Sequence, residues 1–267
     1  NRLMPFFIDK SKYKIIHIGS NILPNKAANC TCHDDSKLIT YFGFIRPDKG
    51  IDTLLKAIPL TKVYSEDDFD LAGFCAGMVE ADKILGPLRV KNDDVLLGIT
   101  SNGLHSNGFS LVRKVLLSGR GMKRMLAAYQ ISLGRSMGEE LLRPTYIYST
   151  VLSALAENRL IHAAAHITGG GIPGNLVRIL PEHLDAEVYL NSWQIPQIFH
   201  MIQSAGKVMQ KEMFNVFNMG IGLILALPER NVDRVKSIVQ KHGFRSFLIG
   251  CICPGKGRVR LLKKSAG

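Results

Sequence analysis

Residues 93–119 read DDVLLGITSNGLHSNGFSLVRKVLLSG. Two aspartates lead into a short apolar run, which predicts a buried strand over 93–100. Two Asn-Gly pairs then impose a tight loop, because Asn and Gly tolerate the left-handed backbone that sharp turns need. Beyond the loop, Leu111, Val112, Val115 and Leu116 recur at helical spacing, so a helix follows and ends near Gly119.

This alternation extends in both directions. Upstream, DFDLAGFCAGMVE (68–80) reads as another buried strand. Downstream, Pro144 is placed to open a helix with Ile147, Val151 and Leu155 on one stripe. The pattern then predicts strands at 163–168, 186–191, 219–227, 244–252 and 257–262, with helices at 174–180, 195–204 and 230–241. The fold class expected is α/β (α+β), a mixed β-sheet with packed helices.

Two loops carry the candidate chemistry. In the first, His105 lies between the two Asn-Gly pairs beside Ser106 and Asn107, and strand-to-helix loops are where binding groups concentrate. The residue fits a turn histidine or a catalytic one. No nucleophile-elbow or Ser-His-Asp spacing accompanies it. In the second, Gly169, Gly171 and Gly174 spell G-x-G-x-x-G after an apolar run. A dinucleotide fold needs an acid about 20 residues beyond the glycines. Residues 189–195 here are Tyr-Leu-Asn-Ser-Trp-Gln-Ile, and Asp185 and Glu187 come too early. Two readings remain, a plain tight turn or a backbone that comes close to a phosphate and offers its N–H groups.

Composition limits the partners. Of 267 residues, 46% are apolar and 21% charged, the balance of a folded domain, and no apolar run approaches the roughly 18 residues of a membrane span. We expect a cytoplasmic protein; its start at Asn1 rather than Met is what a fragment or processed piece would show. The net charge of +12 favours anionic partners, with Lys256, Arg258, Arg260, Lys263 and Lys264 crowded at the end. With 7% aromatic residues and no nucleic-acid reading motif, we read that end as a solvated basic tail and expect no nucleic acid. Cys30, Cys32, Cys75, Cys251 and Cys253 read as reduced, buried thiols, because the two C-x-C pairs are too tightly spaced for the common zinc sites; no metal is assigned to protein ligands.

The two loops, together with GEELLRPTYIYS (138–149), HITGGGIPGNLVRILPE (166–182), SWQIPQIFHMIQSAGKV (192–208) and EMFNVFNMGIGLILALP (212–228), closely resemble the phosphoribosylformylglycinamidine cyclo-ligase (aminoimidazole ribonucleotide synthetase) family over roughly 62–267. The resemblance implies an ATP- and Mg2+-dependent ring closure in purine synthesis. It implies His105 as a proton carrier or oxyanion donor in a cleft between two domains. Ser101, Ser106 and Asn107 would hydrogen-bond the substrate, Gly169, Gly170 and Gly171 would form a close-approach phosphate loop, and Asn218 would border the cleft or simply end a strand. The implied partners are a small phosphorylated substrate and a second copy of the chain, as a homodimer. As a polar cleft residue, His105 is expected to be replaceable by Ala with little effect on folding.

The DGVGTK-like and GGETAEMP-like loops with which that family holds ATP and magnesium do not occur in residues 1–267. Residues 1–61 instead resemble a fragment of a nucleotide-sugar glycosyltransferase, around YKIIHIGSN (13–21) and KLITYFGFIRPDKGIDTLLKAI (37–58). There Lys49 and Gly50 match that family, while Phe44 stands where it often has Arg. The organisation expected is a 1–61 fragment, a 62–92 remnant and hinge, and a 93–267 C-terminal domain. The alternative function is a non-catalytic phosphate-ligand or interaction module.

Overall fold

In the computed structural model, residues 79, 83–118 and 121–263 are described, and all but Val79 fall in one unit running from Glu80 to Gly267. Apart from Val79, the strand expected over 68–80 lies outside them, as do the 1–61 segment and the cysteines at 30, 32 and 75. Strands β1 (Val95–Thr100), β4 (Ala163–His166), β5 (Leu184–Tyr189), β6 (Ile221–Leu227), β7 (Ser246–Pro254) and β8 (Val259–Leu262) form a six-stranded sheet in the order β4-β6-β1-β7-β5-β8. Every pairing is antiparallel except β5 with β8. The mixed sheet expected from the sequence is present. A small hairpin, β2 (Tyr129–Gln130) and β3 (Arg135–Ser136), stands apart.

The central strands read as unbroken apolar runs because both of their faces are covered. On one face, Leu96, Ile224 and Ala226 pack with Val112 of α1 (Phe109–Leu116), Ile172 and Leu176 of α5 (Gly171–Leu176), Phe199 of α6 (Gln197–Gly206) and Phe214 of α7 (Gln210–Val216). On the other, Leu97, Ile99, Leu223 and Leu225 meet Val151 and Leu155 of α4 (Ser149–Glu157) and Val235 and Val239 of α8 (Val232–Lys241). Alternate residues of each strand serve alternate cores, as the two-residue period of a strand requires. Three short helices, α2 (Met122–Ala127), α3 (Met137–Leu141) and α7, went unread in the sequence, although the Ser136–Glu139 capping box of α3 is a legible start signal.

Three expectations are corrected. Pro144 does not open a helix. Residues 144–148 carry no helix, and Ile147 is exposed rather than part of a buried stripe, because this segment is tied to the 100–105 region: the Tyr148 hydroxyl donates to the Thr100 carbonyl at 2.7 Å. The helix after the glycine run starts at Gly171, inside the run, where Gly170 (φ 94°) and Gly171 (φ 60°) supply the backbone that a side chain would strain. The basic end is not a free tail as far as Lys263. The amides of Lys256 and Arg258 donate to Asp185 Oδ1, and Arg260 pairs with Asp185 and Glu187, which fastens β8 to β5. Cys251 and Cys253 are free and lie on β7 as read, but they are half-buried rather than buried, with Cys251 Sγ 3.3 Å from the Tyr189 hydroxyl and Cys253 Sγ 3.2 Å from Arg260 Nη2. No helix among the described residues is long and apolar enough to cross a membrane.

Candidate functional site

The register of β1 against β6 shifts between Ile99 and Thr100, and the chain leaves the sheet there into the 101–108 loop. Asn218, fully buried in the turn before β6, holds that loop down. Its Oδ1 accepts from the Ser101 hydroxyl (2.9 Å) and the Gly220 amide (2.8 Å), and its Nδ2 donates to the Gly103 carbonyl (3.0 Å). Both Ser101 and Asn218 are thus engaged with each other rather than turned to a ligand. Asn218→Ala is expected to cost about 2–4 kcal/mol, since it orphans several buried polar groups at once. An unchanged urea midpoint would remove it from this role.

A second tether comes from α3. Glu140, buried to 3% exposure, takes both Nη1 contacts of Arg143 (3.1 and 3.2 Å), and Arg143 Nη2 donates to Asn102 Oδ1. With Asn102 fixed, its amide N–H donates to His105 Nε2 at 2.8 Å, and the Tyr146 amide approaches the same nitrogen at 3.5 Å. Because Nε2 accepts, the proton of the neutral ring sits on Nδ1, which is buried and has no partner. His105 itself has φ 56° and 4% exposure, beside Tyr146, Tyr148 and the open face of Gly222. A Cβ at Gly222 would stand 2.1 Å from the Tyr148 hydroxyl and 2.8 Å from His105 Cε1. Only glycine lets β6 pass so close to the histidine.

Burial, reinforced by His166 and Arg143, lowers the His105 pKa from 6.5 to about 4. The ring is therefore neutral at pH 7 and a poor proton acceptor. Of the two roles the resemblance implies, hydrogen-bond donation from Nδ1 suits this setting and proton carriage does not. The unfolded chain takes up a proton near pH 6.5 that the folded chain refuses until about pH 4. Stability is hence expected to be complete above about pH 6.5 and to decline by up to roughly 3 kcal/mol as the pH falls through 4. Denaturant titrations from pH 7 to 4 test this, and a His105→Gln variant should show a shallower decline.

The glycine run reaches the same region. Asn175, buried at 3% exposure, donates its Nδ2 to the carbonyls of Thr168, Gly169 and Gly171 (3.3, 3.2 and 2.8 Å) and accepts from the Thr168 hydroxyl. Three carbonyls are drawn inward, and nothing among the described residues accepts from the Gly169 or Gly170 amide. Gly169 and Gly170 are exposed, whereas Gly171 is packed against the end of α7. The nearest side-chain atom to a Cβ placed at Gly169 is Asn107 Oδ1, at 3.9 Å, so the two loops meet there. Ser106 is exposed and its hydroxyl lies 3.3 Å from that of Thr145. Among the residues singled out from sequence, then, Ser106, Asn107, Gly169 and Gly170 face outward around the meeting point. His105 lies beneath it, and Ser101, Asn218 and Gly171 are committed internally. Asn102, Glu140, Arg143 and Asn175 were not singled out, although the last directly follows the glycine motif.

Neither acid following the glycine run serves a ribose, since Asp185 and Glu187 are occupied by β8 and its preceding turn. Among the described residues no group of three or more His, Cys, Asp and Glu side chains gathers as a metal site.

The sequence profile of the AIR synthase related protein, C-terminal domain, matches residues 91–262. The phosphoribosylformylglycinamidine cyclo-ligase of Pseudothermotoga lettingae is 47% identical over 195 residues, covering 73% of this chain and 56% of that protein. That of Bacillus subtilis is 44% identical over 195 residues, with the same coverages of 73% and 56%. The chain thus spans about half the length of these relatives. Among solved structures, the E. coli hydrogenase maturation protein HypE aligns with a TM-score of 0.45 at 16% identity, over 69% of this chain and 50% of that one. With most of its length matched by that profile, the chain belongs to the AIR synthase related family, and residues 91–262 are its C-terminal domain.

Proposed function

We propose that this chain carries the substrate-side half of an ATP- and Mg2+-dependent cyclo-ligase that closes formylglycinamidine ribonucleotide to aminoimidazole ribonucleotide. The observation that carries the reading is the meeting of the 101–108 loop with an exposed glycine backbone at Asn107 and Gly169, above a buried neutral histidine. Cyclo-ligases of the same length ratio, 44–47% identical to the chain, support it.

In this reaction ATP transfers its γ-phosphoryl group to the formyl amide oxygen, releasing ADP. An amidine nitrogen then attacks the formyl carbon, the carbon–oxygen bond breaks, and inorganic phosphate departs. Such chemistry needs positioned donors more than a strong base. Asn107 and Ser106 would orient the substrate. The amides of Gly169 and Gly170 would approach its phosphate closely, and His105 would donate from Nδ1 once the ligand opens the way past Tyr146 and Tyr148. The hinge at 62–92 and the domain at 93–267 belong to this reading, and the profile match beginning at residue 91 supports that boundary. A partner chain that carries the family's N-terminal sheet and its ATP loops would contribute the ATP side, since a second copy of residues 1–267 lacks those loops too.

The test is release of ADP and of aminoimidazole product by the purified chain with formylglycinamidine ribonucleotide, ATP and magnesium. Coupled release supports the reading. Saturable binding of the ribonucleotide without turnover would favour the phosphate-ligand module, which the half-length coverage of the relatives makes the second reading. Neither binding nor turnover overturns both.

A further inference from the structure

The glycine loop has a second side. Between the end of β4, the loop and the single 3-10 turn Val177–Ile179 lies an open cavity of about 300 Å3, lined by Ala164, His166, Thr168, Asn175 and Arg178 among others. That volume is at the lower end of small-molecule sites. β4 is the edge strand of the sheet, so the cavity opens to solvent.

The polar inventory decides what it can hold. Asn175 spends its amide hydrogens on backbone carbonyls, and the Thr168 hydroxyl donates to Asn175 Oδ1. Neither offers a donor to a guest. Arg178 and His166 remain, and neither has a hydrogen-bond or ion-pair partner among the described residues. No carboxylate lines the cavity. Carboxylates outside the lining are engaged in their own pairs: Asp94 with His162, Glu140 with Arg143, Asp185 and Glu187 with Arg260. An open cavity with an unpaired guanidinium, an unpaired imidazole, a floor of alanines and no negative charge suits an anion carried on a small carbon skeleton. A guanidinium fork matches two oxygens of a phosphate, and the alanine floor leaves room for the ester's carbon part.

We propose that this cavity is a phosphate-monoester subsite, in which Arg178 pairs with the phosphate oxygens and His166 donates a further hydrogen bond. His166 also joins the cavity to the site around His105, since its ring centroid is 5.8 Å from that of Tyr148, which is 6.2 Å from that of His105. A ribonucleotide whose single phosphate lies between Arg178 and the neighbouring Gly169 and Gly170 amides would direct its other end toward the loop of His105. That assignment of the ester rests on the function proposed above; the anion subsite does not.

The experiment is calorimetric titration of the full chain with ribose 5-phosphate. Saturable binding is expected. Arg178→Gln should weaken it about tenfold or more, with Arg178→Lys in between because it keeps the charge and loses the fork. Arg178 is exposed, so its replacement should leave the unfolding transition in place. Arg230→Gln, an exposed charge outside the cavity lining, should leave affinity unchanged. Binding that is absent in the parent chain, unaltered by Arg178→Gln, or weakened as much by Arg230→Gln as by Arg178→Gln overturns the subsite. Arg178-dependent binding by a chain that fails to turn over the ribonucleotide keeps the subsite and removes the cyclo-ligase reading. Ring closure unaffected by Arg178→Gln does the reverse.

Discussion

Gly171→Ala is expected to destabilise the domain by about 3 kcal/mol or more, enough to unfold much of a marginally stable chain. At Gly171 the backbone has φ 60°, and an added Cβ would lie 1.8 Å from the carbonyl oxygen of Phe214 and 3.0 Å from that of Phe217. Both obstacles are backbone, so no side-chain rotation relieves them. Two glycines earlier the outcome differs. Gly169 lacks a left-handed φ, and its Cβ would meet only Asn107 Oδ1, at 3.9 Å. Gly169→Ala should therefore leave stability within about 0.5 kcal/mol while weakening the phosphate ligand, because the added methyl stands between ligand and backbone. Thermal unfolding and ribonucleotide titration of the two variants separate the roles. If Gly169→Ala binds as tightly as the parent chain, the run is a plain turn that happens to be glycine-rich. Gly170, with φ 94° and a Cβ position 3.6 Å from Gly174 Cα, would mix backbone strain with any effect on the ligand in one measurement and is the poorer probe.

His105→Ala is expected to slow ring closure by about a hundredfold or more, the usual consequence of removing one donor at a developing charge. It should also cost about 1–3 kcal/mol, because the Asn102 amide loses its acceptor in a buried place. The expectation from sequence that this substitution spares the fold is thereby corrected: at 4% exposure, His105 is part of the packing beneath the loop. His105→Gln separates the two effects. Its side-chain oxygen can replace Nε2 as acceptor and should recover much of the stability, but it supplies no aromatic N–H at the Nδ1 position. Full activity in a stably folded His105→Gln chain would make the histidine a loop anchor alone. The rate is read by ADP release and the stability by denaturant unfolding, so each part of the claim stands or falls separately.

Much of the sheet was legible because hydrophobic period is local. VLLGIT, IGLILAL and FLIGCIC announce strands by themselves, and α1, α6 and α8 followed from helical spacing and fell within a few residues of their expected ends. The two loops of the candidate site were also legible, since Asn-Gly pairs and glycine runs mark sharp backbone before any contact is known. The segment 144–148 was not. Its proline and apolar residues fit a helix, but long-range bonds tie Pro144, Thr145, Tyr146 and Tyr148 to the 100–106 region instead.

The sequence by itself determined the mixed sheet with packed helices and the two loops that carry unusual backbone, for these depend on period and on the conformational range of individual residues. Only the tertiary structure decided which residues of those loops are spent on the fold and which are left facing outward. Ser101 and Asn218, 117 residues apart, cancel each other's polarity, while Asn175 turns three carbonyls inward and leaves the neighbouring amides free. The reason is that a hydrogen-bonding group has a fixed number of partners to satisfy once it is buried, and the identity of those partners exists only after distant parts of the chain have come together.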